Sequence, residues 1–442
     1  MLASYRRADA LERLGRFQAA LEAVETALRD RDRLSAADVL RAEALLAVWR
    51  GQHARAIALL SQHTRERPSD AEGWLRLGEA QLALGPSTGR PPADARDALE
   101  HVLALRPHER RAIEGALVLA AEDGDLDAMT TLVEALAEED RAPYALALAI
   151  ARGDEDAVAG AGETVPPPAV LLALPGLAGH AWLAARGDDP EATIAFVEHA
   201  LAHGRPQAAV ERIEARWDTL PPLPVERAMA LLLLPPFRVG DDALARLCPR
   251  ATADVDETPE AGDPHAASRP AIRGYLAAAC AHRLGRAAEA TAAIEALRAG
   301  ADPVASMLAD ELEAWAALDA GQPARAVELL ARPRADLPAW RLARSPILSG
   351  ALGRWVLAEA NLRRREIAAA LPTAQSLAHP AGATRALAAE GLRIRGEVYR
   401  RAGRAVETRA TYARFLSLRE GCEPAFEAER DEARGHVPPS EE

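Results

Sequence analysis

Three short strings in this 442-residue chain could carry chemistry, and each fails on its surroundings. Gly85-Pro86-Ser87-Thr88-Gly89 spells the G-x-S-x-G of a nucleophile elbow. An elbow needs a strand before it and a helix after it to push the serine outward. Here the string falls between two helical patterns, so it reads as a plain loop. His199 and His203 stand four apart, a spacing that puts both rings on one helix face and can hold a metal. No Glu follows His199 in an H-E-x-x-H order and no third ligand is evident, which favours a surface or groove pair. Cys248, Cys280 and Cys422 are widely separated and form no metal-type pair, so a reduced, cytoplasmic protein is the simplest expectation. The chain contains no lysine, and its 53 basic residues are all Arg. That removes a phosphate-binding P-loop and any Schiff-base chemistry. Heavy Ala and Arg use without Lys also points to a GC-rich bacterial genome. The expectation is a non-enzymatic protein with no catalytic residue, no cofactor and no metal.

The elements that would position any site repeat along the chain. Leu40, Ala44, Gly51, Ala56, Leu60 and Pro68 are followed 34 residues on by Trp74 and Gly78, in register with Leu40 and Ala44. After an insert, Ala95, Leu99 and Pro107 repeat the order of Ala56, Leu60 and Pro68. Small residues such as Ala44, Gly78 and Gly396 let two helices cross closely. Glycines at a fixed place (Gly15, Gly51, Gly85, Gly124, Gly153, Gly187, Gly285, Gly321, Gly403) end the first helix of each unit in a left-handed conformation. Ala290 and Ala326 open the facing side of second helices, and Pro68 and Pro107 stop them. Each hairpin buries one side only, so neighbours must stack to complete a core. No β-type alternation occurs, and the fold class expected is all-α.

The pattern resembles the tetratricopeptide repeat, a 34-residue helix–turn–helix; Trp74, Leu77-Gly78, Ala95 and Pro107 match its signature. Leu392, Gly396, Tyr399 and Gly403 match it again near the C-terminus. The resemblance implies a right-handed superhelical α-solenoid that serves as a scaffold or adaptor and binds a peptide or protein surface in its concave groove. Carried over position by position, it puts Trp49 and Glu79 in the N-terminal part of the groove, where Glu72, Glu114 and Glu122 make the lining acidic. In the later repeats it puts Tyr275, Arg283, Trp315, Trp355, Arg363, Arg393, Arg400 and Arg401 there. An exposed aromatic beside Arg is the composition of a binding hot spot. The alternative is that Trp49, Trp315 and Trp355 pack between repeats. The family's peptide clamp uses Lys and Asn, whereas this chain has no Lys and a single Asn, Asn361.

The layout expected is N-terminal repeats over 1–141, degenerate helical repeats over 142–250, an acidic linker or loop over 251–269, basic C-terminal repeats over 270–420 and an acidic tail over 421–442. Val165 to Ala185 carries no charge, but its prolines and glycines break it too often for a membrane span, so a buried repeat helix is expected. Residues 341–419 hold 15 Arg against 5 acidic residues, inside a chain of net charge −13. A basic module in an acidic protein implies an acidic partner, external or internal. Nucleic acid is the runner-up, for a regulator whose Arg-rich module touches a polyanion; the net charge argues against it. Two roles are open for the tail residues Glu423, Glu427, Glu429, Asp431 and Glu432. They either cover Arg393, Arg400, Arg401 and Arg404, or cap the last repeat.

Overall fold

The computed structural model describes residues 7–437 except 9, 12–15, 86–87, 89, 91, 163, 175–177, 187–188, 254–267, 301, 333, 335–336, 338, 343–344 and 379–381. The turns expected at Gly15 and Gly187, most of the elbow-like string, nearly all of the 251–269 linker and the last five residues therefore lie outside the described residues.

Among the described residues the chain is all-α, a solenoid of helical hairpins with no strand. Helix α1 (Phe17–Arg29) precedes the hairpins α2 (Ala36–Trp49) with α3 (His53–Glu66) and α4 (Ala71–Leu84) with α5 (Pro92–Leu105). Next come α6 (Arg110–Asp123) with α7 (Leu126–Ala135) and α8 (Glu138–Arg152) with α9 (Glu155–Gly160). The middle contains short α10 (Pro168–Ala173) and α11 (Ala178–Ala185), then α12 (Pro190–Ala202), α13 (Pro206–Arg216), α14 (Pro222–Leu232) and α15 (Asp241–Ala251). The C-terminal run pairs α16 (Arg269–Arg283) with α17 (Ala287–Ala299) and α18 (Pro303–Asp319) with α19 (Pro323–Leu330). It continues through one-turn α20 (Ala339–Leu342), α21 (Ala351–Arg363) with α22 (Ile367–Ala378), α23 (Ala388–Arg401) with α24 (Ala405–Leu418), and α25 (Glu427–Arg434).

Local chemistry sets these boundaries. Side chains of Ser35, Asp70, Asp125, Asp154, Asp189 and Asp302 accept backbone N–H bonds at helix starts. Left-handed Gly51, Gly124, Gly153, Gly285, Gly321 and Gly403 end first helices, as the spacing requires. Gly85 departs from this rule: its φ is −50°, and it follows helix α4 rather than a strand, so the elbow reading has no support. The close crossings are present. A Cβ on Gly78 would lie 2.8 Å from Leu99, and one on Gly396 would lie 2.7 Å from the Tyr412 ring.

The stack closes on itself. Glu423 donates its N–H to the Gly204 carbonyl, and Glu423 Oε1 accepts from the Gln207 N–H at 2.9 Å, capping the start of α13. Arg238 bonds Glu429 and the Ala425 carbonyl, and Arg414 donates to the Glu122 carbonyl at 2.7 Å. Helix α12 thus lies between the middle and C-terminal repeats, and every residue from Ala192 to Ala202 is buried. A helix covered on all sides has no polar stripe, which is why the repeat pattern fades over Ala192–Ala202. His199 and His203 are part of that buried helix, stacked at 4.0 Å, and are not a surface or groove pair. No cluster of three or more metal-ligating side chains occurs among the described residues. No helix among the described residues is long and apolar enough to cross a membrane; the Val165–Ala185 stretch contributes to α10 and α11.

Cys248 and Cys280 form a disulfide between α15 and α16, leaving Cys422 free. This corrects the reduced state expected from spacing. A separation of 32 residues hides the fact that the two helices pack side by side across the intervening loop. The thiol-based reason for a reducing compartment goes with it.

Candidate functional site

The aromatic residues assigned to the groove are in the core. Trp49 is 4% exposed, Tyr275 and Trp315 are 2% exposed, and Trp355 is 8% exposed. Trp315 meets the His282 ring edge-on, and Trp355 Nε1 donates to Glu390 Oε1 at 3.0 Å. The expectation of exposed rings beside Arg is therefore corrected: Ala-rich helices leave space between repeats, and the few large rings fill it.

Arg283, Arg363 and Arg401 share a structural task. Arg283 sits at the end of α16 and donates to the carbonyls of Leu233, Leu234 and Val239, just beyond α14. Arg363, the last residue of α21, donates to Leu318 O at 2.8 Å near the end of α18. Arg401, the last residue of α23, donates to Leu362 O at 2.9 Å near the end of α21. Each guanidinium donates to carbonyls at or just beyond the negative end of an upstream helix, adding to the backbone bonds that Leu234, Leu318 and Leu362 already accept. Burial lowers the Arg283 pKa from its ordinary value, although the group stays charged. The signal was legible: each Arg stands two residues before the left-handed turn residue, at Gly285, Arg365 and Gly403.

Arg393 joins a buried network. It donates to both Glu390 oxygens, at 3.0 and 2.7 Å, and also bonds Glu359. Burial alone would raise the Glu390 pKa, but Arg393 and the Trp355 N–H outweigh it and hold the carboxyl below its ordinary range. Glu390 was not singled out by sequence, although its i,i+3 spacing to Arg393 was there to be read.

The N-terminal carboxylates are paired rather than open. Arg111 donates to Glu79 Oε2 at 2.6 Å, and Glu114 accepts from Arg110 Nε and the Tyr144 hydroxyl, each at 2.7 Å. Burial still pushes the Glu79 carboxyl above its usual range despite Arg111 and Arg76.

What remains accessible is a basic cleft at the α21–α22 turn. Arg363, Arg365, Arg400 and Arg401 line it, with Leu362 and Ile367 as its apolar floor. Arg400 makes two 2.6 Å bonds to Glu397, which Arg401 shares. Arg365 is different. It holds φ at 62° where the other hairpins place Gly, and among the described residues its side chain makes no ion pair. A non-glycine residue in this conformation costs roughly 1 kcal/mol. Of the described tail, α25 packs on α24 through Ala433, with Glu429 and Glu432 acting through space on Arg393 and Arg400, while Arg404 bonds Glu407 of its own helix.

The class defined is an all-α helical-repeat solenoid with a basic cleft at one turn. No family model and no curated protein matches the sequence. Among solved structures the chain is similar to the crystal structure of yeast Tom70, at TM-score 0.31 and 12% identity over 98% of this chain and 95% of that one. It is similar to the APC/C hetero-tetramer Cut9–Hcn1 at 0.29 and 12%, over 96% of this chain and 95% of that chain. The P58(IPK) TPR domain follows at 0.22 and 14%, over 91% and 98%. Scores this low establish neither a family nor a function, and the solenoid stands on the hairpins described above.

Proposed function

We propose that this protein is a non-enzymatic interaction scaffold whose basic cleft takes an acidic peptide segment of a partner. The observation that carries the reading is Arg365, held in a costly left-handed turn with its guanidinium unpaired among Arg363, Arg400 and Arg401. Backbone strain kept at a solvent-facing position suggests that the side chain is worth more than the conformation costs. Arg400 and Arg401 share one carboxylate, and Arg363 spends one donor on Leu318, so donors remain for a ligand. Guanidinium pairs with carboxylate bidentately, and a strand carrying Asp or Glu fits a four-Arg rim over an apolar floor. The absence of Lys-based chemistry, and the spending of most other arginines inside the fold, agree with binding rather than turnover.

The test uses Arg365→Gly, which removes the charge and relieves the turn. Fluorescence anisotropy with a labelled Glu/Asp-rich peptide should give a Kd about fivefold weaker for this variant, the scale of one rim charge. Its melting temperature should hold or rise. Unchanged peptide affinity, or tighter binding of a single-stranded oligonucleotide than of the peptide, would sink the reading.

A further inference from the structure

Away from the basic cleft, a second cleft of about 600 Å³ opens between the α2–α3 turn, Gly51 to Arg55, and the C-terminal helices α18, α21 and α22. Its volume is in the range of small-molecule sites. Met307, Leu330, Leu348 and Leu357 give it an apolar wall, and Arg334 and Arg354 enter from the other side.

The two arginines differ. Arg334 Nη1 lies 2.6 Å from Glu311 Oε1, and Glu311 is buried, so that pair is neutral. The chain makes room for it: a Cβ on Gly350 would fall 2.5 Å from Arg334 Nη2, and one on Gly353 would fall 3.0 Å from the Glu311 carboxyl carbon. Arg354 hydrogen-bonds no carboxylate among the described residues, and the Glu311 charge reaches it only through space. Its Nη1 donates to Ser376 O at 3.1 Å and its Nη2 to Thr384 Oγ1 at 3.2 Å, both neutral groups. Its Nε is buried without a partner. Burial, and then Arg334, push its pKa down to about 10, which leaves it charged at neutral pH. Two guanidinium groups, Arg334 and Arg354, thus stand against the single Glu311 carboxylate, and the surplus half-buried cation is costly unless an anion meets it.

We propose that this cleft binds a small amphipathic carboxylate, an acyl acid whose head meets Arg354 and whose chain lies along Met307, Leu330 and Leu357. One uncompensated cation matches one negative charge. A phosphate, with nearly two, would exceed the one surplus positive charge of the Arg334–Arg354–Glu311 group. Because the Gly51–Arg55 turn forms the opposite wall, the ligand touches the first and last parts of the solenoid and favours their closed arrangement.

The experiment is calorimetric titration of the full-length protein with dodecanoate, kept below its micelle concentration, at pH 7.5. Saturable one-to-one binding is expected, with dodecanol at least tenfold weaker and Arg354→Gln weakened by a similar factor. Dodecanoate should also raise the melting temperature. Equal affinity for dodecanol and dodecanoate, or no saturable binding, overturns the proposal. So does tighter binding of an acetylated peptide ending in a free Leu carboxylate, which would assign the cleft to a protein terminus. If Arg354→Gln fails to fold by circular dichroism, the dodecanol-to-dodecanoate ratio on the unaltered protein decides. Arg365→Gly leaves this cleft untouched, so the outcome is independent of the peptide test.

Discussion

The closed arrangement depends on one ring. Phe426 is fully buried, with the Arg238 guanidinium 5.0 Å and the Arg419 guanidinium 4.4 Å from its ring centroid. Arg419 is itself buried, donates to Leu201 O at 3.3 Å, and has its pKa lowered by burial. It is therefore a cation held against aromatic faces and a helix-end carbonyl, with Glu390 and Glu429 acting on it through space. A Cβ on Gly204 would fall 2.6 Å from Arg419 Nη1, so the seam is packed without slack. Phe426→Ala removes the ring and leaves both cations facing a void. Buried Phe→Ala changes cost about 3–5 kcal/mol. For a chain of this length, the per-residue unfolding entropy converts that to a fall in melting temperature of roughly 3–5 °C.

The assay pairs a thermal melt with hydrogen exchange. The Gln207 amide, which donates to Glu423, and the Glu423 amide, which donates to Gly204, should exchange faster in the variant. Leu105→Ala, at a 42% exposed position, serves as the control and should stay within about 0.5 kcal/mol of the parent. A melt within 1 °C of the parent (~1 kcal/mol on the same scale), with both amides still protected, would refute the idea that the tail closes the solenoid.

Three further outcomes are expected. The Cys248–Cys280 bridge spans 32 residues, for which the loop-entropy relation gives about 3.7 kcal/mol; reductant or Cys248→Ser should lower the melt, and three alkylatable thiols in the native protein would contradict the bridge. Gly396→Ala would put a methyl 2.7 Å from the Tyr412 ring and should cost about 1–3 kcal/mol in a denaturant melt, with an unchanged midpoint counting against the packing described. Glu390 is held below its ordinary 4.5, so its stabilisation is complete above that value and is lost as pH falls through the lowered folded pKa. Glu390→Gln should therefore destabilise at pH 7 and converge on the parent in acid; a gap that stays constant with pH would exclude the ionised network.

Much of the fold was legible because its rules are local. Asp70, Gly124 and Gly285 act within one turn of where they stand, and Gly78 and Gly396 face the partner helix of their own hairpin. The candidate site was far less legible. Trp355 and Arg393 were assigned to a groove from their repeat positions, but both are committed to Glu390. The Glu423 cap on α13 and the Arg238–Phe426 contact join residues whose proximity follows from closure, which no periodic pattern reports, and the Cys248–Cys280 bridge joins neighbouring helices across the irregular 251–269 stretch. The degenerate stretch was itself a signal. Helix α12 loses its polar face because two sets of repeats meet on it.

Closure also explains where the charge of the C-terminal module goes. Fifteen Arg against five acids suggests an open basic surface, but Arg354, Arg385 and Arg395 are enclosed, with pKa values pushed down first by burial. Arg393 and Arg404 answer carboxylates, and Arg363, Arg401 and Arg414 answer helix-end carbonyls. The guanidinium suits this work because it stays charged and spreads five donors over a fixed fork, as Arg283 does across three carbonyls. A single ammonium at the same place would reach fewer acceptors and lose more on burial. Arg is thus a structural cement in this chain, and its number measures how many helix ends are capped rather than how strongly the surface attracts anions. The arginines that matter for a partner are those the fold leaves underused. Arg365 belongs to that set because it holds a glycine's place and does none of the capping.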